Sequence, residues 1–288
     1  MNYGRIRHWP LPGKAAVYIG IMLALSIAMI AIWSLSPDSL RQSDDGLRLL
    51  QVLQAICVFI GPAILGAMLW SEHPWTWLHV NNIPSWKSVG IGIGIIILAQ
   101  PGVTLFSSLN EQMTLPDFMQ SLEIWMQEQE QIAGDVTQRL LPPHGHVGGL
   151  LICLCVMALV PAIGEELCFR ATIQGLLGER INTSVAVWAT AILFSAIHLQ
   201  FYGFLPRMLL GALLGFALVK TGSLWIPIVM HFTNNAIAIL SQWSTPVGTD
   251  SQPLIETLGS GNTWWIGCIS IVLTCTALYF WLFRRHEG

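Results

Sequence analysis

Uncharged or nearly uncharged runs recur along the whole chain, at about 15 to 35, 49 to 70, 88 to 109, 147 to 164, 183 to 199, 205 to 219, 223 to 242 and 263 to 283. A spanning helix needs ~20 apolar residues, and the shorter runs reach that length once they extend into their polar flanks. A chain of 288 residues that is 53% hydrophobic and only 10% charged has too little polar surface for a soluble domain. The expected architecture is therefore all-α, a polytopic transmembrane bundle of about eight helices.

The first run follows RIRHWPLPGK and is longer than the ~7–15 residue core of a signal peptide, so it is expected to remain as a first helix. With the N-terminus inside, Arg5, Arg7, Lys14, Lys87, Arg170, Arg180, Lys220, Arg284 and Arg285 fall on or near one side. Arg41, Arg48, Arg139 and Arg207 fall on the other. The positive-inside rule then places both termini in the cytoplasm, as in a multi-pass protein of a bacterial plasma membrane. The net charge of -3 gives no support for nucleic-acid binding, and the partner expected from composition is the bilayer. The six cysteines lie in apolar stretches without C-x-x-C spacing and read as small buried hydrophobes.

Three regions follow. Residues 1–146 hold three spanning helices and an acidic extracytoplasmic loop, 147–242 the polar-spotted helices, and 243–288 a loop and the last span. The VGIGIGI run in the first region permits close helix approach. In the acidic loop, Leu115, Phe118, Met119, Leu122, Trp125 and Met126 recur at helical spacing, which predicts an amphipathic helix packed as a lid on the outer face. Gly211 and Gly215 form a G-x-x-x-G, a pattern too common in apolar helices to weigh much by itself.

Only two of the sixteen acidic residues lie inside a membrane-length apolar run, and they are adjacent: Glu165 and Glu166 in LVPAIGEELCFRATIQGLL. His198 and His231 are the two histidines similarly placed. An ionisable side chain at bilayer depth costs roughly 2.5–3.5 kcal/mol on insertion scales, so this cluster marks a functional site. Glu166 and Arg170 share a helix face as an acid placed N-terminal to a base. Glu165 is turned ~100° away, which leaves it for chemistry. Phe194 with His198, and His231 with Asn235, share faces by the same spacing, and Asn234 competes with Asn235. Counted from turns near Gly178, Asn182 and Gly222, Glu165 lies ~20 Å deep, His198 ~24 Å and His231 ~14 Å. Tilt or a break at Pro161 would bring them level.

Two chemistries fit. In one, Glu165 activates water with help from His198, while His231 and Asn235 donate to the oxyanion. In the other, Glu165, His198 and His231 form a His2Glu set with an open position, the composition of a catalytic zinc site or that of another divalent metal. No H-E-x-x-H occurs, no Asp lies in a span, and Ser223 has no G-x-S-x-G elbow.

GEELCFR, FSAIH and HFTNN together resemble the three motifs E-E-x-x-x-R, F-x-x-x-H and H-x-x-x-N/D of the CAAX protease and bacteriocin-processing (CPBP, Abi) family of intramembrane proteases. The matching residues are Glu165, Glu166, Arg170, Phe194, His198, His231 and Asn235. The resemblance spans about 160 to 240. It implies an eight-helix endopeptidase with a membrane-embedded site open to the cytoplasm and a peptide or membrane-protein substrate, and its spacing favours Asn235 over Asn234. The rival classes are a transporter or proton relay, against which no internal repeat pairs the two halves, and a non-catalytic immunity or binding protein.

Overall fold

The structure, a computed structural model, describes residues 3–245 and 254–283. Eight helical passes run between two ends: α1 (Leu11–Ser34), α2 (Asp44–Trp70), α3 (Trp86–Glu111), then α5 (Val147–Gly178), α6 (Thr183–Ala196), α7 (Phe204–Thr221), α8 (Trp225–Ser244) and α9 (Trp264–Phe283). Between α3 and α5 lies α4 (Gln120–Leu140). No strand occurs among the described residues. Six of the passes are long and apolar enough to cross a membrane; α6 is apolar but short, and α8 carries the polar residues of the site. Ile19, Leu23, Ile27 and Ile30 stand exposed along α1, a surface suited only to lipid. The protein is an integral membrane helix bundle.

Local chemistry sets the ends. Ser43 accepts from the Gly46 amide (3.0 Å) at the start of α2, Ser85 from Ser88 (3.2 Å) at α3, and Asn182 from Ser184 (2.9 Å) at α6, each satisfying a donor the helix cannot. Gly222, at φ +61°, closes α7 in the left-handed region that glycine enters without strain. Pro101 interrupts α3, and the Ser270 hydroxyl of α9 is inserted there, accepting from the Gly102 amide (3.1 Å) and donating to the Leu98 carbonyl (2.5 Å). Of the glycines in VGIGIGI only Gly92 meets a neighbour, the Met230 side chain of α8; Gly90 and Gly94 face open space.

The expected break at Pro161 does not occur. Instead α5 continues through it by widening: π-helical turns cover Cys155–Leu159 and Glu166–Gln174, and a third covers Ala55–Ile60 in the facing α2. Such turns are rare and cluster at functional sites. The cysteines also depart from expectation. Cys153 and Cys168 are buried, but Cys155, Cys268 and Cys275 are exposed on the apolar outside.

The two ends of the bundle are distinct. Arg7 pairs with Glu72, Lys14 with Glu179 (2.9 Å), and His79 meets the Gly222 carbonyl (3.1 Å), so the N-terminus and the 71–85, 179–182 and 222–224 turns share one end. Trp281 of α9 and Val89 of α3 pack on the same buried cluster, which brings the last described residues of α9 to that same end. Arg284 and Arg285 lie outside the described residues. At the other end Arg139 of α4 pairs with Asp44 (3.0 Å), Gln127 donates to Tyr202 (3.2 Å), and Asn110 donates to the Phe201 carbonyl (2.8 Å). There α4 packs by its C-terminal half, where Leu140 is buried, whereas Phe118 just before it and Leu122 and Trp125 within it, expected to form the packed face, stay exposed.

Candidate active site

The widened turns of α5 carry GEELCFR between α2, α6, α7 and α8, and the two glutamates have different surroundings. Glu166 is wholly enclosed, at 0% exposure. Its Oε1 lies 2.9 Å from Arg170 Nη1 and 2.7 Å from His231 Nδ1. Glu165 retains 14% side-chain exposure and lies 3.7 Å from His231 Nε2, too far for a hydrogen bond.

Arg170 ties this group to two further helices. Its Nη2 donates to the Gly211 carbonyl of α7 (3.3 Å), and its guanidinium lies 4.3 Å from the centre of the Phe194 ring of α6. One helical turn along, Gln174 donates to the Gly215 carbonyl (3.2 Å). The G-x-x-x-G thus has a specific use here. A Cβ at Gly211 would press on Phe194 and Ala191, and one at Gly215 would clash with Gln174 and Val187 at 2.6 and 2.9 Å. Two bare carbonyls are therefore offered to α5 at the four-residue spacing of Arg170 and Gln174.

Phe194 is the hub. Its ring, 2% exposed, meets Phe169, His198 and His231 edge-on at 5.1, 5.0 and 5.9 Å and Arg170 by its face. His198 sits just past α6, in a turn that Leu199 completes at φ +56°, a strained value for a branched-chain residue. Its Nδ1 lies 2.7 Å from the Phe194 carbonyl. Because a carbonyl can only accept, Nδ1 carries the hydrogen and neutral His198 presents the Nε2 lone pair.

Two cavities meet at Glu165. The larger, about 490 Å³, is lined by Glu165, His198, His231 and Asn235 together with Gln200, Arg207 and Thr137 of α4. The smaller, about 270 Å³, is lined by Gln51, Gln54 and Phe59 of α2, Pro161 and, again, Glu165 and Asn235. Asn235 accepts from Asn234 Nδ2 (3.4 Å) while Asn234 is itself held by Gln100 (3.3 Å), so among the described residues the Asn235 amide N–H groups remain unused. All the motif residues thus converge: Glu165, His198, His231 and Asn235 on the cavities, and Glu166, Arg170 and Phe194 behind them. The cavities lie toward the end that carries α4, opposite the start of α1 and the 71–85, 179–182 and 222–224 turns. Cytoplasmic termini and a site open to the cytoplasm, both expected above, exclude one another in this arrangement.

The metal set fits less well. No group of three or more His, Cys, Asp or Glu side chains among the described residues lies close enough to hold a metal ion. His231 is held by Glu166 through Nδ1, which leaves Nε2 as its free nitrogen. Sequence reasoning passed over Gln200 and Arg207, counting Arg207 only as an outer charge, although an arginine two residues inside an otherwise uncharged run was a visible signal.

Residues 147–237 match the Rce1-like family, described as type II CAAX prenyl endopeptidase Rce1-like. Over 91 residues the chain is 28% identical to YdiL of Bacillus subtilis (strain 168), whose name describes a candidate membrane peptidase. That stretch is 32% of this chain and 37% of the relative, so the likeness spans about a third of each. No solved structure matches.

Proposed function

We propose, from the match of residues 147–237 to the Rce1-like family, that the chain is an intramembrane endopeptidase that hydrolyses a peptide bond with a glutamate-activated water. One observation carries the reading: Glu166, enclosed by Arg170 and His231, frees Glu165 to face the cavities alone.

In this mechanism water stands between Glu165 and His198. The carboxylate takes one proton as the water oxygen bonds to the carbonyl carbon, and the His198 Nε2 lone pair accepts the other water hydrogen bond. Charge then develops on the carbonyl oxygen, where the Asn235 amide donates. His231, held by Glu166 through Nδ1, turns Nε2 toward the same space, 3.7 Å from Glu165. Collapse of the tetrahedral intermediate breaks the C–N bond, and Glu165 returns its proton to the leaving nitrogen. A peptide threading from one cavity to the other would pass Glu165 at its midpoint.

The test compares protein termini, by mass spectrometry, in membranes of cells making wild type or Glu165→Gln at equal abundance. Termini present only with wild type support proteolysis and identify the substrate; identical termini across growth conditions shift the reading to transport or binding. Because the mechanism uses only side-chain groups, cleavage by purified protein should keep at least about half its rate after exhaustive chelation, where a metal-dependent site of the kind above loses its water activation altogether. Loss on chelation that zinc restores would refute the metal-free route.

Orientation follows from charge. Arg5, Arg7, Lys14, Lys87, Arg180 and Lys220 gather at the terminal end, against Arg41, Arg48, Arg139 and Arg207 at the end of α4. On the positive-inside rule the terminal end is cytoplasmic, in a bacterial plasma membrane, and the cavities open outward. Accordingly Glu128→Cys should react with a membrane-impermeant maleimide on intact cells, and Arg180→Cys only after permeabilisation. The reverse pattern would put the mouth in the cytoplasm.

A further inference from the structure

At the mouth end the arginines other than Arg207 are each paired with a carboxylate. Arg41 pairs with Asp38, Arg48 with Asp45 and Arg139 with Asp44. Arg207 is different: no carboxylate among the described residues forms an ion pair with it, and it lines the larger cavity beside His198, Glu165 and His231.

Its position is built. Nη2 donates to Gln200 Oε1 at 2.8 Å and Nη1 to the Gln200 carbonyl at 3.4 Å, which fixes the plane of the guanidinium. The group lies over Gly203, where a Cβ would sit 2.8 Å from Nη2 and 3.4 Å from the central carbon, so the glycine leaves the room the arginine occupies. Gln200 uses two of five N–H donors. The three left over belong to a permanent cation at the edge of the cavity, where no anion among the described residues pairs with it.

The nearest resident anion is Glu130 of α4, one of whose carboxylate oxygens is buried without a hydrogen-bond partner. Burial, reinforced by Glu111, holds its carboxyl above the ordinary carboxylate range against the opposing pull of Arg207. Among the described residues it forms no ion pair with Arg207.

We propose that Arg207, held by Gln200 over Gly203, binds a carboxylate of the substrate in the active-site cavity and so fixes which bond reaches Glu165. The assignment rests on the protease reading above. Arginine suits the task because its planar fork grips both oxygens of a carboxylate and thereby sets orientation as well as affinity. The carboxylate belongs either to the substrate's C-terminus or to an Asp or Glu side chain, and both present the same two oxygens.

The experiment uses the purified full chain in lipid nanodiscs with four degenerate decapeptide libraries, ending in a free acid or an amide, each made with and without Asp and Glu. Wild type should cleave carboxylate-bearing peptides at least about tenfold faster than those with none, the discrimination expected when a site's buried charge is left unpaired. Dependence on the free terminus names the C-terminus as the anchor; dependence on Asp and Glu names the side chain. Arg207→Gln should bring the ratio within about twofold, with the loss read mainly in KM, and Arg207→Lys should keep part of it. Gly203→Ala, whose methyl takes the guanidinium's place while the charge stays, should erode the same ratio and stands in if Arg207→Gln does not fold. Wild-type cleavage without preference, or a preference that Arg207→Gln and Gly203→Ala both retain, overturns the anchor alone. Cleavage no greater than that of Glu165→Gln in all four libraries overturns the protease reading and the anchor with it.

Discussion

Glu165→Gln should lower kcat for a peptide identified by the termini comparison by a factor of about 10²–10⁴, the usual contribution of a positioned proton acceptor. KM should change little. The substitution keeps the volume of the side chain and removes only its ability to take a proton, and the site loses no support, because Glu165 makes no hydrogen bond and lies 3.7 Å from its nearest ionic neighbour. Binding at the cavity walls, oxyanion donation from Asn235 and the position of His198 on the Phe194 carbonyl all survive. An equal fall in kcat and kcat/KM would mean that the group acts in the transition state and not in holding substrate. Glu166→Gln is the contrast. It weakens the anchor of His231 and Arg170 in the interior, so it should lose folded protein as well as rate. If Glu165→Gln turned over normally, the carboxylate facing the cavities would be idle and the reading would fail.

The motif residues could be read from sequence because each motif is an i,i+4 pair, and that spacing puts two side chains on one face in any helix. Glu166 with Arg170, and Phe194 with His198, meet as the spacing requires. The run boundaries were legible for the same reason, since uncharged length is what a bilayer selects. What stayed hidden depends on packing between helices. The π-helical turns of α5 have no sequence signature, yet they let the chain pass Pro161 without a break. Gly211 and Gly215 looked like an ordinary close-approach pattern. Only with α5 beside α7 do their carbonyls become acceptors for Arg170 and Gln174. Arg207 was read as a topology charge because its cavity exists only once α4, α6 and α7 enclose it. Asn234 and Asn235 could not be separated by spacing alone. The structure gives Asn234 to Gln100 and leaves the Asn235 amide unused.

The other large effect concerns stability. Arg170→Met should cost about 3–5 kcal/mol of folding free energy, the range for removing one partner of a buried ion pair and leaving its neighbour's charge uncompensated. Glu166 has no exposure, and without Arg170 only the His231 ring would contact its carboxylate. Secondary losses add in the same direction: the Gly211 carbonyl loses its donor, worth roughly 1 kcal/mol, and Phe194 loses a cation over its face, worth roughly 0.5–2 kcal/mol. Combining Arg170→Met with Glu166→Gln removes both charges and should recover much of the deficit, because a neutral pair of similar volume no longer demands solvation. A coupling of at least about 2 kcal/mol between the two substitutions is expected, measured by unfolding in mixed micelles across the four-protein cycle. Cleavage should not return with stability. The double variant holds His231 through an amide in place of a carboxylate, which weakens the anchor at Nδ1. Additive costs would mean that the two charges do not depend on one another, and recovered cleavage in the stable double variant would assign Glu166 and Arg170 to packing alone.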